Sequence, residues 1–250
     1  MLEIKNLCKA FHKNKSDEKV IFEDFNLKIK SGEFVTIIGG NGAGKSTLMN
    51  LISGTIFPDK GRIIVEDRDV TKLPEHKRAK FIGRVFQDPL KGTAPSLTIE
   101  ENLSLSMLRN SKRTLSFGVK KNNSEFFMKE LEKLNLGLEK RLKTKVGLLS
   151  GGQRQALTLL MATITKPKIL LLDEHTAALD PSSRDKILNL TNEIAKDEKM
   201  ATLMITHNME HALNFGNRTI MLKQGKTVFD VKGEERAKLD ASEIQNSFNF

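Results

Sequence analysis

The apolar run Phe34-Val35-Thr36-Ile37-Ile38 leads directly into Gly39-Gly40-Asn41-Gly42-Ala43-Gly44-Lys45-Ser46-Thr47, and no other stretch restricts the fold as strongly. Closely spaced glycines after a strand let the backbone wrap with its N–H groups pointing inward, which makes a cradle for a polyphosphate. Lys45 then reaches the β- and γ-phosphates, and the Ser46 hydroxyl is placed to ligate magnesium. Residues 47–53 read as a helix that Gly54 stops, and its positive N-terminal end faces the same anion. A ligand-free turn between strand and helix is the plainer reading. It requires none of the fixed positions, yet all of them are present between a strand-like and a helix-like segment.

Two more short apolar runs, residues 169–172 and 202–206, have the unbroken hydrophobicity of parallel strands covered on both faces. Helical segments separate them, so the core is an α/β sheet. Leu2-Glu3-Ile4-Lys5 alternates like a half-buried strand, and Gly61-Arg62-Ile63-Ile64-Val65 reads as another, which together suggest an antiparallel layer beside the loop. Thr98 with Glu101 spells a capping box for a helix ending near Leu108. Ser124 is the expected cap of a second helix, with Phe127, Leu131 and Leu134 on one face and Gly137 as its stop. Asp180-Pro181 is an N-cap followed by proline at the first helical position, with Ile187, Leu190 and Ile194 on the buried face. Residues 88–148 are therefore expected to be largely helical and to interrupt the sheet. Thr219-Ile220-Met221-Leu222 and Thr227-Val228-Phe229 flank Lys223-Gln224-Gly225-Lys226 as a closing hairpin.

At 250 residues the chain is long enough for a real core, and no stretch reaches the roughly twenty apolar residues of a membrane span. The start, Met1-Leu2-Glu3-Ile4-Lys5, lacks a basic-then-apolar signal, so the expected location is the cytosol. Cys8 is the only cysteine, which excludes an intramolecular disulfide and a cysteine-based zinc site. The expected metal is magnesium brought by the nucleotide, with no structural metal. A formal charge of +10 is compatible with nucleic acid, an anionic surface or simple solubility. One concentration, Arg109, Lys112, Arg113, Lys120 and Lys121, has no acidic residue among it; a solvated loop is the plain reading and contact with lipid head groups the sharper one.

Leu149-Ser150-Gly151-Gly152-Gln153 discriminates further, because most phosphate-loop proteins have nothing like it. With this motif the chain resembles the ATP-binding subunit of an ATP-binding cassette transporter, over almost its whole length and with the motifs in the right order. The resemblance implies a single domain over residues 1–250 with a RecA-like P-loop core, an antiparallel β subdomain and an inserted helical subdomain at about 88–148. It implies that Gly39, Asn41, Gly42, Ala43, Gly44, Lys45, Ser46 and Thr47 hold ATP with Mg2+, and that Phe11 stacks on adenine. Ser150, Gly151, Gly152 and Gln153 form a second anion site that closes over the γ-phosphate held by the opposite subunit, while Asp180 communicates across that interface. Asp173, in Leu172-Asp173-Glu174, is the magnesium-linked aspartate, and Glu174 the carboxylate that orients and polarises water. Gln87 contacts magnesium and water, and its loop touches the membrane subunit; His207 hydrogen-bonds the γ-phosphate. Lys45, Gln87, Glu174 and His207 are thus the catalytic set, and Ser46, Gln87 and Asp173 the metal set. The implied assembly is a homodimer that sandwiches two ATP molecules beneath an integral-membrane permease, held on the inner face of the cell membrane and served by a substrate-binding lipoprotein. Nucleic acid is not an expected partner.

Two departures stand out. His175 occupies the place where the family usually has proline, and Met161-Ala162-Thr163 replaces a common alanine-arginine-alanine. The segment Asp88-Pro89-Leu90-Lys91-Gly92-Thr93-Ala94-Pro95, with Glu174-His175-Thr176, is similar to a group of bacterial importer ATPases whose permeases resemble those for branched-chain amino acids. That group suggests import of amino acids, aromatic ones included. The rival is a repair, chromosome or translation ATPase of the same superfamily, suggested by the basic charge. Such proteins carry a long coiled coil between the two nucleotide motifs or two cassettes per chain, and this chain has neither pattern. A scaffold that only binds nucleotide is disfavoured by Glu174 and His207.

Overall fold

The computed structural model describes residues 1–110 and 123–239. In chain order the elements are β1 (Leu2–Phe11), β2 (Lys19–Ile29), β3 (Phe34–Ile38), α1 (Lys45–Ser53), β4 (Lys60–Val65), β5 (Arg68–Asp69), α2 (Glu75–Arg78) and β6 (Ile82–Val85). Then follow α3 (Ile99–Met107), α4 (Asn123–Glu132), α5 (Gly151–Thr163), β7 (Ile169–Asp173), α6 (Pro181–Asp197), β8 (Ala201–Ile205), α7 (Met209–Asn214), β9 (Arg218–Lys223), β10 (Lys226–Lys232) and α8 (Gly233–Ala237). The strands form two sheets, a four-stranded one in the order β2-β1-β4-β5 and a six-stranded one in the order β10-β9-β3-β8-β7-β6. The first is antiparallel, and β1 pairs with β4 from Leu2↔Val65 onward, as the alternation at both ends of that pair predicts. In the second, β9, β3, β8, β7 and β6 run parallel, and only the β9–β10 hairpin is antiparallel.

The unbroken apolar strands are explained by what covers them. Alternate residues of β7 enter different cores: Ile169 and Leu171 pack with Leu48, Leu51 and the antiparallel sheet, whereas Leu170 and Leu172 pack with Leu159, Leu188 and Met204. Both faces are therefore buried, and a polar residue on either would be costly. A third core joins α3 and α4 to α5 and α6 through Leu103, Phe127, Leu131, Leu157 and Ile187.

The expected elements are present, with three adjustments. The first helix begins at Lys45 rather than 47, because Gly44, at φ 103°, supplies the left-handed turn that starts it. Ser124 lies within α4 instead of capping it, and its hydroxyl bonds the Glu100 carboxylate of α3. The stretch after Asp88 includes the short 3-10 turns Pro89–Gly92, Leu108–Asn110, Leu138–Arg141 and Val146–Leu148 as well as α3 and α4, so it is less regular than its pattern implied. Prolines and glycines at 89, 92, 95, 137 and 147 account for the breaks. Of the basic concentration, Arg109 is half-buried in its 3-10 turn, and Lys112, Arg113, Lys120 and Lys121 lie outside the described residues. Among the described residues no helix is long and apolar enough to cross a membrane.

Candidate active site

Parallel pairing decides which chain ends meet. Ile205 is opposite both Ile37 of β3 and Asp173 of β7, and Val85 of β6 is opposite Leu172. The residues that follow these strands, the glycine loop, Glu174, His207 and Gln87, thus emerge at one edge of the sheet, outside the carboxyl ends of its strands, where open α/β sheets place their ligands.

The loop is shaped by contacts that only glycine tolerates at two points. A Cβ on Gly39 (φ 149°) would sit 2.3 Å from the Leu222 carbonyl oxygen of β9, and one on Gly44 would sit 2.9 Å from the Phe22 ring. The Ala43 carbonyl accepts from the Gly225 amide in the β9–β10 turn at 3.1 Å, which pins the loop from outside. Lys45 is buried, and its Nζ donates to the carbonyls of Gly39 at 2.6 Å and Gly40 at 3.0 Å, curling the side chain back over the loop. Burial lowers its pKa, and the nearby Glu174 and Asp173 charges act in the opposite direction. Ser46 and Thr47 stand in the first turn of α1, which contains no acidic residue to repel an anion. Asn41 and Gly42 are exposed at the tip.

Glu174 follows β7 with φ 47°, a left-handed backbone that a non-glycine residue adopts at a cost on the order of 1 kcal/mol. Its amide donates to the Ile205 carbonyl at 3.2 Å, and its carbonyl accepts from the Ala177 amide at 2.9 Å, so both sides of the turn are tied. This turn brings Glu174 Oε1 to 2.5 Å from His207 Nε2. Asp173 is held on one oxygen, Oδ2, by Arg84 at 3.3 Å. Gln87 is exposed two residues beyond β6.

The residues of the second motif lie elsewhere in the chain. Ser150 caps α5 in a capping box, accepting from the Gln153 amide at 3.2 Å while Gln153 Oε1 accepts from the Ser150 amide at 3.2 Å. The Gln153 side chain is therefore used in shaping the helix start. A Cβ on Gly152 would lie 3.0 Å from Ser183 Oγ, which shows how closely this turn packs on the start of α6. Asp180 caps α6 by accepting from the Ser183 amide at 3.0 Å, and Ser183 holds its carboxyl below the usual carboxylate range. No hydrogen bond or ion pair among the described residues joins Ser150, Gly151, Gly152 or Asp180 to the glycine loop or Glu174. Phe11 ends β1, half-buried, with Lys9 Nζ 5.3 Å from its ring centroid.

The donor set suits a hard cation and a polyphosphate. Among the described residues the exposed Ser46 hydroxyl and Asp173 Oδ1 have no hydrogen-bond partner, and Gln87 offers an amide oxygen, all of them oxygen ligands.

Sequence reasoning passed over two arginines. Arg78 is fully buried with no carboxylate contact among the described residues, and Arg84 touches Asp173; neither belongs to a motif, so only the assembled fold reveals them. It also passed over the four-residue spacing of His207 and His211. Those rings and His175 share the wall of a cavity of about 160 Å³ with Arg184 and Met204, and the described residues contain no cluster of three or more His, Cys, Asp or Glu suited to a metal. His175 itself is buried, with Nε2 3.1 Å from Thr191 Oγ1, and because Thr191 donates to the Ile187 carbonyl the imidazole is the donor in that pair.

Residues 22–177 match the family model described as ABC transporter. The chain belongs to the ABC transporter family. It is an ATP-binding subunit of that family, an ATPase that binds ATP with Mg2+ and couples its hydrolysis to transport. The tyrosine transport ATP-binding protein of Clostridioides difficile is 48% identical, over 100% of this chain and 99% of that protein. An energy-coupling factor transporter ATP-binding protein of Clostridium tetani is 32% identical, over 92% of this chain and 78% of its own length. Among solved structures, a dimeric ATP-binding cassette bound to ADP and Pi in a post-hydrolysis state is 30% identical with a TM-score of 0.79, covering 93% of this chain and 98% of that one. The ADP conformation of another ABC transporter cassette is 28% identical with a TM-score of 0.81, covering 97% of this chain and 95% of that one. The α/β architecture of this ABC subunit is accordingly that of the family's P-loop cassettes.

Proposed function

We propose that this chain works as a homodimer beneath an integral-membrane permease and drives import of an amino acid, with tyrosine the first cargo to test. The observation that supports the dimer is the division of the site: one chain gathers the glycine loop, Asp173, Glu174 and His207 at one sheet edge, while Gly151 and Gly152 pack on Leu179 and Ser183 beside Asp180, with no hydrogen bond or ion pair among the described residues to that group. A second copy, related by a two-fold axis, supplies the missing half to each. The cargo rests on the full-length similarity to a tyrosine transport ATP-binding protein. Residues at about 88–148 form the inserted helical subdomain, which ends just before the second anion site at Ser150, and the permease holds the subunit at the inner face of the membrane beside a substrate-binding lipoprotein.

In this reading the loop amides and Lys45 bind the phosphates, and Phe11 stacks on the base. Glu174 accepts a hydrogen bond from the attacking water and aligns it with the γ-phosphorus. His207, whose Nε2 lies against Glu174, orients that carboxylate and would turn the same N–H to a γ-phosphate oxygen once nucleotide is bound. Ser46, Asp173 and Gln87 would hold magnesium, which would neutralise charge on the phosphate oxygens. Closing the partner's Ser150 and Gly152 over the γ-phosphate excludes water other than the aligned one, so hydrolysis and dimer opening are linked.

Mixing two inactive proteins tests the half-site. Lys45→Ala removes the loop function and Ser150→Arg blocks the covering surface. A heterodimer of the two retains one intact pair, so the mixture is expected to hydrolyse ATP at roughly a quarter of the parental rate although neither variant does so alone. A mixture as inactive as its components overturns the shared site.

A further inference from the structure

Arg84 lies on β6, the edge strand, one residue pair before the strand's end, where an aliphatic side chain would satisfy the packing with Ile82 and Leu171. Its guanidinium instead makes three contacts at once. NH2 donates to Asp173 Oδ2 at 3.3 Å, and NH1 donates to Ser53 Oγ at 3.2 Å at the end of α1. The plane lies over the Phe86 ring, 4.6 Å from its centroid, and Nε is buried without a hydrogen-bond partner among the described residues. Leaving a guanidinium N–H dry and unpaired is unfavourable. The arrangement sacrifices it to keep the tip on Asp173 and the plane on Phe86.

Both contacts bear on the site. A single bond to Oδ2 leaves Oδ1 as the oxygen open to a cation, and a carboxylate fixed on one oxygen presents the other in a defined direction. Phe86 immediately precedes Gln87, and its carbonyl accepts from Gln155 Nε2 of α5 at 3.5 Å. One guanidinium therefore bridges the end of the phosphate-loop helix, the carboxylate that ends β7 and the segment that carries Gln87.

We propose that Arg84 is a positioning residue that orients Asp173 toward magnesium and makes that orientation depend on where Phe86 holds the Gln87 segment. The inference rests on Asp173 being the magnesium-side carboxylate. Displacing Phe86 uncovers the guanidinium, frees it to swing, and loosens Asp173, so a shift of the Gln87 segment is felt at the metal through the Arg84 side chain.

Mn2+ binding to the ATP-loaded, full-length Glu174→Gln protein, followed by electron paramagnetic resonance, tests this without relying on turnover. In that background Arg84→Met is expected to weaken Mn2+ about tenfold. Arg84→Lys, which keeps a charge near Asp173, recovers most of the loss, and Phe86→Leu, which leaves Arg84 in place, weakens Mn2+ by a smaller factor. In the parental background Arg84→Met lowers kcat with KM for ATP within about twofold at saturating Mg2+. Mn2+ affinity within twofold of the parent for Arg84→Met, or no effect of Phe86→Leu, overturns the proposal. Should Arg84→Met fail to fold, Arg84→Gln and Phe86→Leu carry the same readout. Asp173→Asn separates the two levels: if it leaves Mn2+ affinity unchanged, the reading of Asp173 fails, whereas a loss there with none for Arg84→Met removes the positioning role alone.

Discussion

At the scale of single residues, His175 shows how a departure from the family pattern is accommodated. Burial, reinforced by the His211 charge facing it from α7, pushes its pKa down to about 3, so it stays neutral and donates to Thr191. In the unfolded chain an imidazole titrates near 6.5. A folded pKa below the unfolded one means that the unfolded state binds the extra proton, so this contribution is complete above pH 6.5 and is lost as pH falls from 6.5 toward 3. The expected slope is about 1.4 kcal/mol per pH unit in that window. Urea unfolding at pH 6.5 and 5.5 should therefore show His175→Gln losing about 1 kcal/mol less than the parent over that interval, because the unfolded imidazole is only half protonated at its upper end. Equal losses would mean that the imidazole is not kept neutral in the fold. His175 also borders Glu174, whose left-handed backbone directs its carboxylate onto His207, so the tie to Thr191 on α6 anchors the turn from behind.

At the scale of elements, α1 is the part on which binding depends, and it is held from its far end. Arg78 of α2 donates to the Leu51 carbonyl at 2.6 Å, the Ile52 carbonyl at 2.8 Å, the Leu73 carbonyl at 2.7 Å and the Thr71 carbonyl at 2.8 Å. A cation at the C-terminal end of a helix complements its dipole, and here it also satisfies carbonyls that have no other route out of the core. Burial lowers its pKa to about 10, which still leaves it charged at neutral pH. Arg78→Met fills the volume but strands those carbonyls, and is expected to cost on the order of 3 kcal/mol in chemical denaturation. Arg78→Lys should recover only part, since one ammonium cannot span the carbonyls that a planar fork reaches. A loss below about 0.5 kcal/mol for Arg78→Met would show that α1 does not need this anchor.

At the scale of the whole molecule, the subunit contains an engine and no cargo pocket in its proposed role, so its partner sets what moves. Reconstituted vesicles holding this subunit with its proposed permease and substrate-binding lipoprotein should accumulate labelled tyrosine in an ATP-dependent manner, and uptake should vanish when Glu174 is replaced by Gln. ATP-dependent uptake of another amino acid with none of tyrosine would correct the cargo and leave the engine untouched. ATP hydrolysis stimulated only by DNA or ribosomes would remove the importer reading.

Much of this protein was legible before any fold was known, because its signals are local. The capping box at Thr98 and the Asp180-Pro181 cap are set by hydrogen bonds spanning three residues, and these appear as read; the capping box at Ser150 is equally local but was not among the expectations. Motif order identified the family for the same reason. Ser124 was misread because a serine at a helix start can also turn its hydroxyl to a distant partner, here Glu100, and no local pattern distinguishes the two. Arg78 and Arg84 were invisible because their partners lie on other elements. Sequence alone determined which chemical groups the chain brings and which short segments hold them. Only the tertiary structure decided which meet: the parallel register of β3, β8, β7 and β6 sets Glu174 against His207, because pairing between strands far apart in sequence is fixed by burying both faces of a sheet at once.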